Sequence, residues 1–365
     1  MERIISSSSS ASSGARLFAP LTIRGVTLPN RIGVSPMCQY SSIDGFANAW
    51  HLAHLASRAV GGAGLVITEA AAVLPEGRIS PADLGIWSDA HADALRPITE
   101  AIAAAGAVPG IQLAHAGRKG STQVPWEGRA AVKHGGWAVP APSALPFGKN
   151  SALTFAMSDL QIHAVIAAFA AGAMRAVAAG FRFIECHFAH GYLVHSFLSP
   201  ISNHRDDGWG GDFEGRTRLA LEIVRAVRVA APETPVSVRL SCVDWMEGGW
   251  SLDDSMRLSL LLKDAGADLI DCSSGSIAPG ANPPDGPAVQ RDFARAIREC
   301  GVPTMAVGGI TKAEEAEALI ADGSCDIVLL AREMLRDPYW ALHAARALGV
   351  PGNWPPQYLR AVGLG

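Results

Sequence analysis

The chain has 365 residues, with 49% hydrophobic and 18% charged side chains and a formal net charge of -4. That balance excludes a disordered chain, and it gives neither the basic footprint of a nucleic-acid binder nor a polybasic membrane patch. No apolar run reaches the length a membrane span needs, and six widely spaced cysteines without a CxxC predict reduced thiols in a cytoplasmic setting. The first 16 residues, MERIISSSSSASSGAR, lack the apolar stretch of a signal peptide and read as a disordered, serine-rich tail. Residues 17–31 carry Pro20, Gly25 and Pro29 and read as turns closing the bottom of a domain.

From there strand and helix alternate. Residues 32–37 form a short strand, and 50–60 a helix stopped by Gly61-Gly62. A second strand is predicted at 64–70 (GLVITEA), an alanine-rich helix at 90–105 and a third strand at 108–115 (VPGIQLAH). The rhythm breaks over 116–157, where Gly, Pro, Trp126 and Trp137 follow no period; such an insert reads as a lid or hairpin. A helix capped by Ser158 or Asp159 runs to 179 and leads into a fourth strand, 181–188. Helices at 213–230, 253–265, 289–300, 311–321 and 340–348 then alternate with strands at 235–241, 267–274, 302–309 and 325–332. A Pro-containing tail, 351–365, ends the chain.

Eight apolar strands alternating with eight helices predict a parallel sheet covered on its outside, closed as a (β/α)8 TIM barrel over residues 17–350. An open doubly wound sheet needs a GxGxxG turn after an early strand, and none follows any strand here.

In such a barrel the active site lies at the carboxyl ends of the strands. The first strand ends in Pro36, Met37, Cys38 and Tyr40. The second ends near Glu69 and Ala70. The third carries Gln112 and His115, with Arg118 and Lys119 beyond. The fourth delivers His187, His190 and Tyr192 within six positions. Three hydrogen-bond donors leaving one buried strand suit a grip on a carbonyl oxygen and delivery of a proton. Zinc would require a third ligand for His187 and His190, and HEXXH is absent; His51 and His54, three apart on a helix, pack or cap. Arg239 in an apolar strand requires an anionic partner, either a structural ion pair with Glu185 or Glu69 or the charge of a bound cofactor. Gly308-Gly309, with Ala331-Arg332 on the next strand, stands where this fold holds phosphate.

Taken together, SPMCQY (35–40), DLGIWSD (83–89), IQLAHAGRK (111–119), HFAHGYLVHSFLSPISNHR (187–205), WGG (209–211) and DCSSG (271–275) resemble the old yellow enzyme family of flavin-dependent ene-reductases. Its thermophilic-like, xenobiotic-reductase subclass is the nearest. The resemblance implies FMN above the barrel mouth and NADPH or NADH as reductant. Ser35, Pro36, Met37 and Cys38 would line the ring, Ala70 and Gln112 its polar edge, and Arg239 the N1 and C2-oxygen side. Gly308, Gly309, Ala331 and Arg332 would hold the phosphate. His187 and His190 would bind the oxygen of an activated alkene, Tyr192 would give the proton, Cys38 would tune the flavin, and Tyr40 and Lys119 would contact substrate. It further implies a homodimer or homotetramer in which Arg360 reaches a neighbouring subunit's site. One departure is Ala331, where the family usually has Gly. The alternatives are a dienoyl-CoA reductase relative, which would append an iron–sulfur cluster and further domains, and a non-catalytic barrel holding FMN or another phosphate ligand.

Overall fold

The computed structural model describes residues 5–6, 14–281, 283 and 289–362. Eight parallel strands close into a barrel: β1 (Ile32–Val34), β2 (Leu65–Ala72), β3 (Val108–Ala114), β4 (Phe183–Phe188), β5 (Val236–Ser241), β6 (Leu269–Ser273), β7 (Thr304–Val307) and β8 (Ile327–Leu330). Each pairs with the next, and β8 returns to β1 through Val328↔Ile32 and Leu330↔Val34. Around them run α1 (Ala49–Val60), α2 (Asp89–Ala104), α3 (Asp159–Ala178), α4 (Phe213–Ala230), α5 (Leu252–Ala265), α6 (Val289–Glu299), α7 (Ala313–Ala321) and α8 (Trp340–Ala347). This is the expected (β/α)8 TIM barrel.

Local chemistry starts the helices where the sequence predicts. Asn48 and His51 form a capping box on α1, so His51 caps as expected, and Ser158 with Gln161 does the same on α3. Inside the barrel the side chains change character with height. Leu65, Phe183, Leu269 and Ile327, at the amino-terminal ends of their strands, make an apolar plug with Leu21, Ile23 and Leu28. The latter come from a hairpin, Leu21–Ile23 with Val26–Leu28, in the stretch read only as turns. Inward positions recur every second residue along a strand. Phe183 is therefore followed by Glu185 and His187, Leu269 by Asp271 and Ser273, and Ser237 by Arg239 and Ser241. The barrel is dry at its base and polar toward its mouth.

Several boundaries differ from expectation. β1 stops at Val34; Ser35 N–H still donates to the Leu330 carbonyl at 2.9 Å, but Pro36 has no N–H to continue the ladder. β2 runs on to Ala72 through an irregularity between Ile67 and Ala70. Arg332 does not end β8 but opens a short helix, Arg332–Arg336. The 116–157 insert contains a parallel pair, Val139–Ala141 with Thr154–Ala156, instead of a hairpin. A further helix, Leu193–Leu198, follows β4 unforeseen. α3 is long and apolar enough, by length and composition alone, to cross a membrane, which the sequence reading overlooked; here Ile162, Val165, Phe169, Ala173 and Ala176 are buried on the barrel. All six cysteines are unpaired thiols. Most of the serine-rich tail, 1–4 and 7–13, lies outside the described residues, as do 363–365 of the C-terminal tail; Ile5–Ser6 pairs with the hairpin strand at Ile23 and Thr22.

Candidate active site

β4 carries His187 to the mouth, and the backbone then turns sharply. His190 and Gly191 both have positive φ, 59° and 73°. Gly191 is required there twice over, since a Cβ would also lie 2.2 Å from the Ser276 carbonyl oxygen. Its N–H donates to Nδ1 of His195 at 2.8 Å, and Nε2 of His195 meets Asp244 at 2.9 Å with both side chains fully buried. Ser199 donates to the other Asp244 oxygen at 2.6 Å. This buried chain fixes the turn from behind. From β5 and β6, Ser241 Oγ accepts the His190 N–H at 2.9 Å, and Ser273 Oγ lies 2.7 Å from His190 Nε2.

The turn brings the three expected residues together. His187 Nε2 and His190 Nδ1 are 3.4 Å apart, and the His187 and Tyr192 rings meet edge to face with centroids 5.0 Å apart. Burial, then the nearby Arg239 charge, holds both imidazoles well below their ordinary pKa, so each is neutral. Burial pushes the Tyr192 phenol well up, which keeps its proton in place. Lys119 donates to the carbonyls of His190 at 2.8 Å and Ser276 at 3.2 Å, with its ammonium 5.3 Å from the Tyr192 ring centre. Tyr40, with φ at 50°, completes this wall and meets Trp126 edge-on.

Below lies the polar floor. Arg239 Nε is 3.2 Å from Asp271, and its terminal nitrogen donates to Ser35 Oγ at 3.1 Å. The structural partner is therefore Asp271, in register with Arg239 on β6, in place of the anticipated Glu185 or Glu69. Glu69 is occupied by the Gln39 N–H at 2.8 Å and by His51 at 3.1 Å. Glu185 accepts from Gln112 at 2.8 Å and Ser237 at 3.1 Å; burial, then the Asp271 charge, pushes its carboxyl up to about 8. Cys38 follows β1 half-buried. Burial, then Asp83 and Glu69, drive its thiol well up, so it is not a thiolate.

A sequence model of the NADH:flavin oxidoreductase / NADH oxidase family matches residues 16–349. An NADPH dehydrogenase of Halalkalibacterium halodurans is 46% identical over 349 residues, covering 95% of this chain and 98% of that protein. Among solved structures, morphinone reductase in complex with tetrahydroNAD superposes with a TM-score of 0.75 at 27% identity, covering 93% of each chain. A 2-naphthoyl-CoA reductase complexed with 2-naphthoyl-CoA gives a TM-score of 0.82 at 25% identity over 92% of this chain, which spans only 52% of that protein. The chain belongs to the NADH:flavin oxidoreductase, or old yellow enzyme, family. It is thus an oxidoreductase with FMN as cofactor and a nicotinamide dinucleotide, NADPH or NADH, as reductant.

Its mouth fits FMN by the polar atoms left over. Buried His187 Nδ1 and Arg239 Nε have no hydrogen-bond partner in the protein, the Arg239–Asp271 contact meeting the distance of an ion pair but not the direction of a hydrogen bond. Ser35 and Gln112 are buried beside them, Ala70 is buried at the end of β2, and Pro36 and Met37 are half-buried. On the far rim, consecutive Gly308 and Gly309 have φ of 116° and 65°, and Arg332 is exposed beside Ala331 on the neighbouring strand's loop. That is a glycine turn, with the Gln290 side chain packed against Gly308 and a cation on the neighbouring strand's loop, suited to a phosphate. Arg360 is not brought to this mouth: it is exposed on the turn Pro356–Ala361, where Tyr358 meets Tyr339.

Sequence reasoning missed Asp271, Ser273, Ser241, and the His195–Asp244 pair. Asp271 bore the same signal that exposed Arg239, a charge inside an apolar strand. The serines and the pair behind Gly191 bore none, since their roles arise only when three strand ends and a loop converge.

Proposed function

We propose that the chain reduces the activated C=C bond of α,β-unsaturated carbonyl or nitro compounds. Bound FMN supplies hydride to the β-carbon. Ser35, Pro36, Met37, Cys38, Ala70, Gln112 and Arg239 would line its ring, and Gly308, Gly309, Ala331 and Arg332 its phosphate. Neutral His187 and His190 each offer an N–H to the substrate oxygen and stabilise negative charge as it develops there. Tyr192 then gives its proton to the α-carbon as general acid. Tyr40 and Lys119 hold the substrate over the floor, and the protonated Cys38 thiol adjusts the cofactor's surroundings. A homodimer or homotetramer, with Arg360 serving a neighbour's mouth, belongs to this reading.

The observation that carries it is the convergence of two neutral imidazoles and a protonated phenol on one buried turn. Purified protein should be yellow, bleach with NADPH under argon, and regain colour on addition of cyclohexenone or maleimide. Tyr192→Phe should still bleach but regain colour more slowly by roughly 10²–10⁴-fold. Recolouring at the wild-type rate would remove Tyr192 from its role.

A further inference from the structure

Above Tyr40 and Tyr192 the mouth widens into a cavity of about 700 Å³, walled by the 116–157 insert on one side and the loop after β6 on the other. Such a volume suits a molecule far larger than a simple enone. Its charge is one-sided. Lys119 and Arg129 line it, and among the described lining residues none is Asp or Glu. Arg118 lies buried behind, donating to the Ile277 carbonyl at 2.6 Å. Lys119 is held down to about 8, first by burial and then by the charges of Arg118 and Arg129. Lys119 is held by backbone carbonyls and the faces of Phe147 and Tyr192, with no carboxylate among the described lining residues, so an arriving anion relieves the repulsion among the three cations.

Arg129 is the adaptable member. It is exposed, follows Gly128 on the insert, and has φ of 58°, a conformation that non-glycine residues adopt at a cost and that clusters at ligand clamps. It lines the same cavity as Tyr40 and Tyr192, so it overlooks the substrate position. Thr122, Gln123, Asn150 and Ser151 line the same space as uncharged polar groups.

We infer that this vestibule binds the phosphates of the nicotinamide dinucleotide, with Arg129 as their main cationic contact. The inference rests on the reading that a dihydronicotinamide delivers its hydride at this mouth. With the nicotinamide over the floor, the rest of the dinucleotide must lead outward through the vestibule. Two phosphate sources share this chemistry, the pyrophosphate common to NADH and NADPH and the 2′-phosphate of NADPH alone.

The test is anaerobic rapid-mixing reduction of the wild-type holoprotein, Arg129→Ala and Arg129→Lys with NADPH, NADH and the phosphate-free 1-benzyl-1,4-dihydronicotinamide. Arg129→Ala should lower the ratio of NADPH affinity to benzyl-dihydronicotinamide affinity roughly tenfold, the value of one charge-assisted contact. Arg129→Lys should restore most of it. Added salt should weaken NADPH binding more in wild type than in Arg129→Ala. Loss with NADPH alone assigns the 2′-phosphate, and equal loss with NADH assigns the pyrophosphate. An unmoved ratio overturns the inference. Calorimetric titration with NADP+, in which no hydride moves, separates the two readings. Binding weakened by Arg129→Ala in a protein that no dihydronicotinamide reduces would overturn the proposed function and leave the phosphate site standing.

Discussion

Arg239 is 7% exposed on an otherwise apolar strand, with Asp271 3.2 Å away. A guanidinium cannot shed its proton, so the strand tolerates it only beside a counter-charge. Glu185, raised to about 8, is mostly protonated at neutral pH and supplies little of that charge. Asp271→Asn should therefore destabilise the protein. Losing Asp271 also removes the lesser cause of Glu185's raised pKa, burial being the larger, so Glu185 ionises more readily and compensates in part. The expected loss is about 3 kcal/mol, the lower end for breaking a buried pair. It would be read as a lower urea midpoint at pH 7, and an unshifted midpoint would mean the pair is not the support of Arg239. At this scale the sequence was informative about which residues are anomalous and silent about their partners. A charge inside an apolar run marked Arg239, but Glu69, Glu185 and Asp271 all stand in apolar strands, and only the barrel's register places Asp271 opposite.

The turn after β4 is the element on which the site depends. Gly191 combines positive φ with a Cβ position already filled by the Ser276 carbonyl. Gly191→Ala must push the turn away from the loop after β6, taking His190 and Tyr192 with it. A displacement near 1 Å is enough to cost roughly 10²-fold in rate. The variant should keep its circular dichroism spectrum yet lose cyclohexenone turnover by about that factor; full turnover would show that the turn has slack. Long, strongly patterned elements were legible because burial on both faces forces continuous apolar strands. Short ones were not. The helix Leu193–Leu198 has all six residues buried, so no polar face announces its period, and the hairpin under the barrel has strands of three residues each. The 116–157 insert was legible only as an interruption, which hid Arg129 among other loop residues.

Buried charge ties the stability of the whole molecule to pH with two opposite signs. His54 and His115 are lowered to about 4 by burial, and His187 and His190 are lowered as well. The unfolded chain protonates these rings below about 6.5. Their contribution is full above that pH and lost as pH falls. Glu185, raised to about 8, and Asp83, raised to about 7, both chiefly by burial, act the other way. The folded protein keeps protons that the unfolded chain releases above about 4. Their contribution is full in acid and lost as pH rises through the folded values. In the window from about pH 6.5 to 7.5 the unfolded histidines start about half protonated; their contribution opposes that of the carboxyls and fades only toward about pH 7.5. Lys119, lowered to about 8, joins at the upper end of the same window. The wild-type slope in that window is a difference of opposing terms, so the share of one carboxyl is read by comparing the protein with a variant that lacks it. Glu185→Gln keeps an acceptor for Gln112 and cannot ionise, so it should remove its downward share of the slope, about 1–2 °C of thermal midpoint per pH unit in a chain of 365 residues. Equal slopes in the two proteins would mean that the proton held inside the barrel does not reside on Glu185.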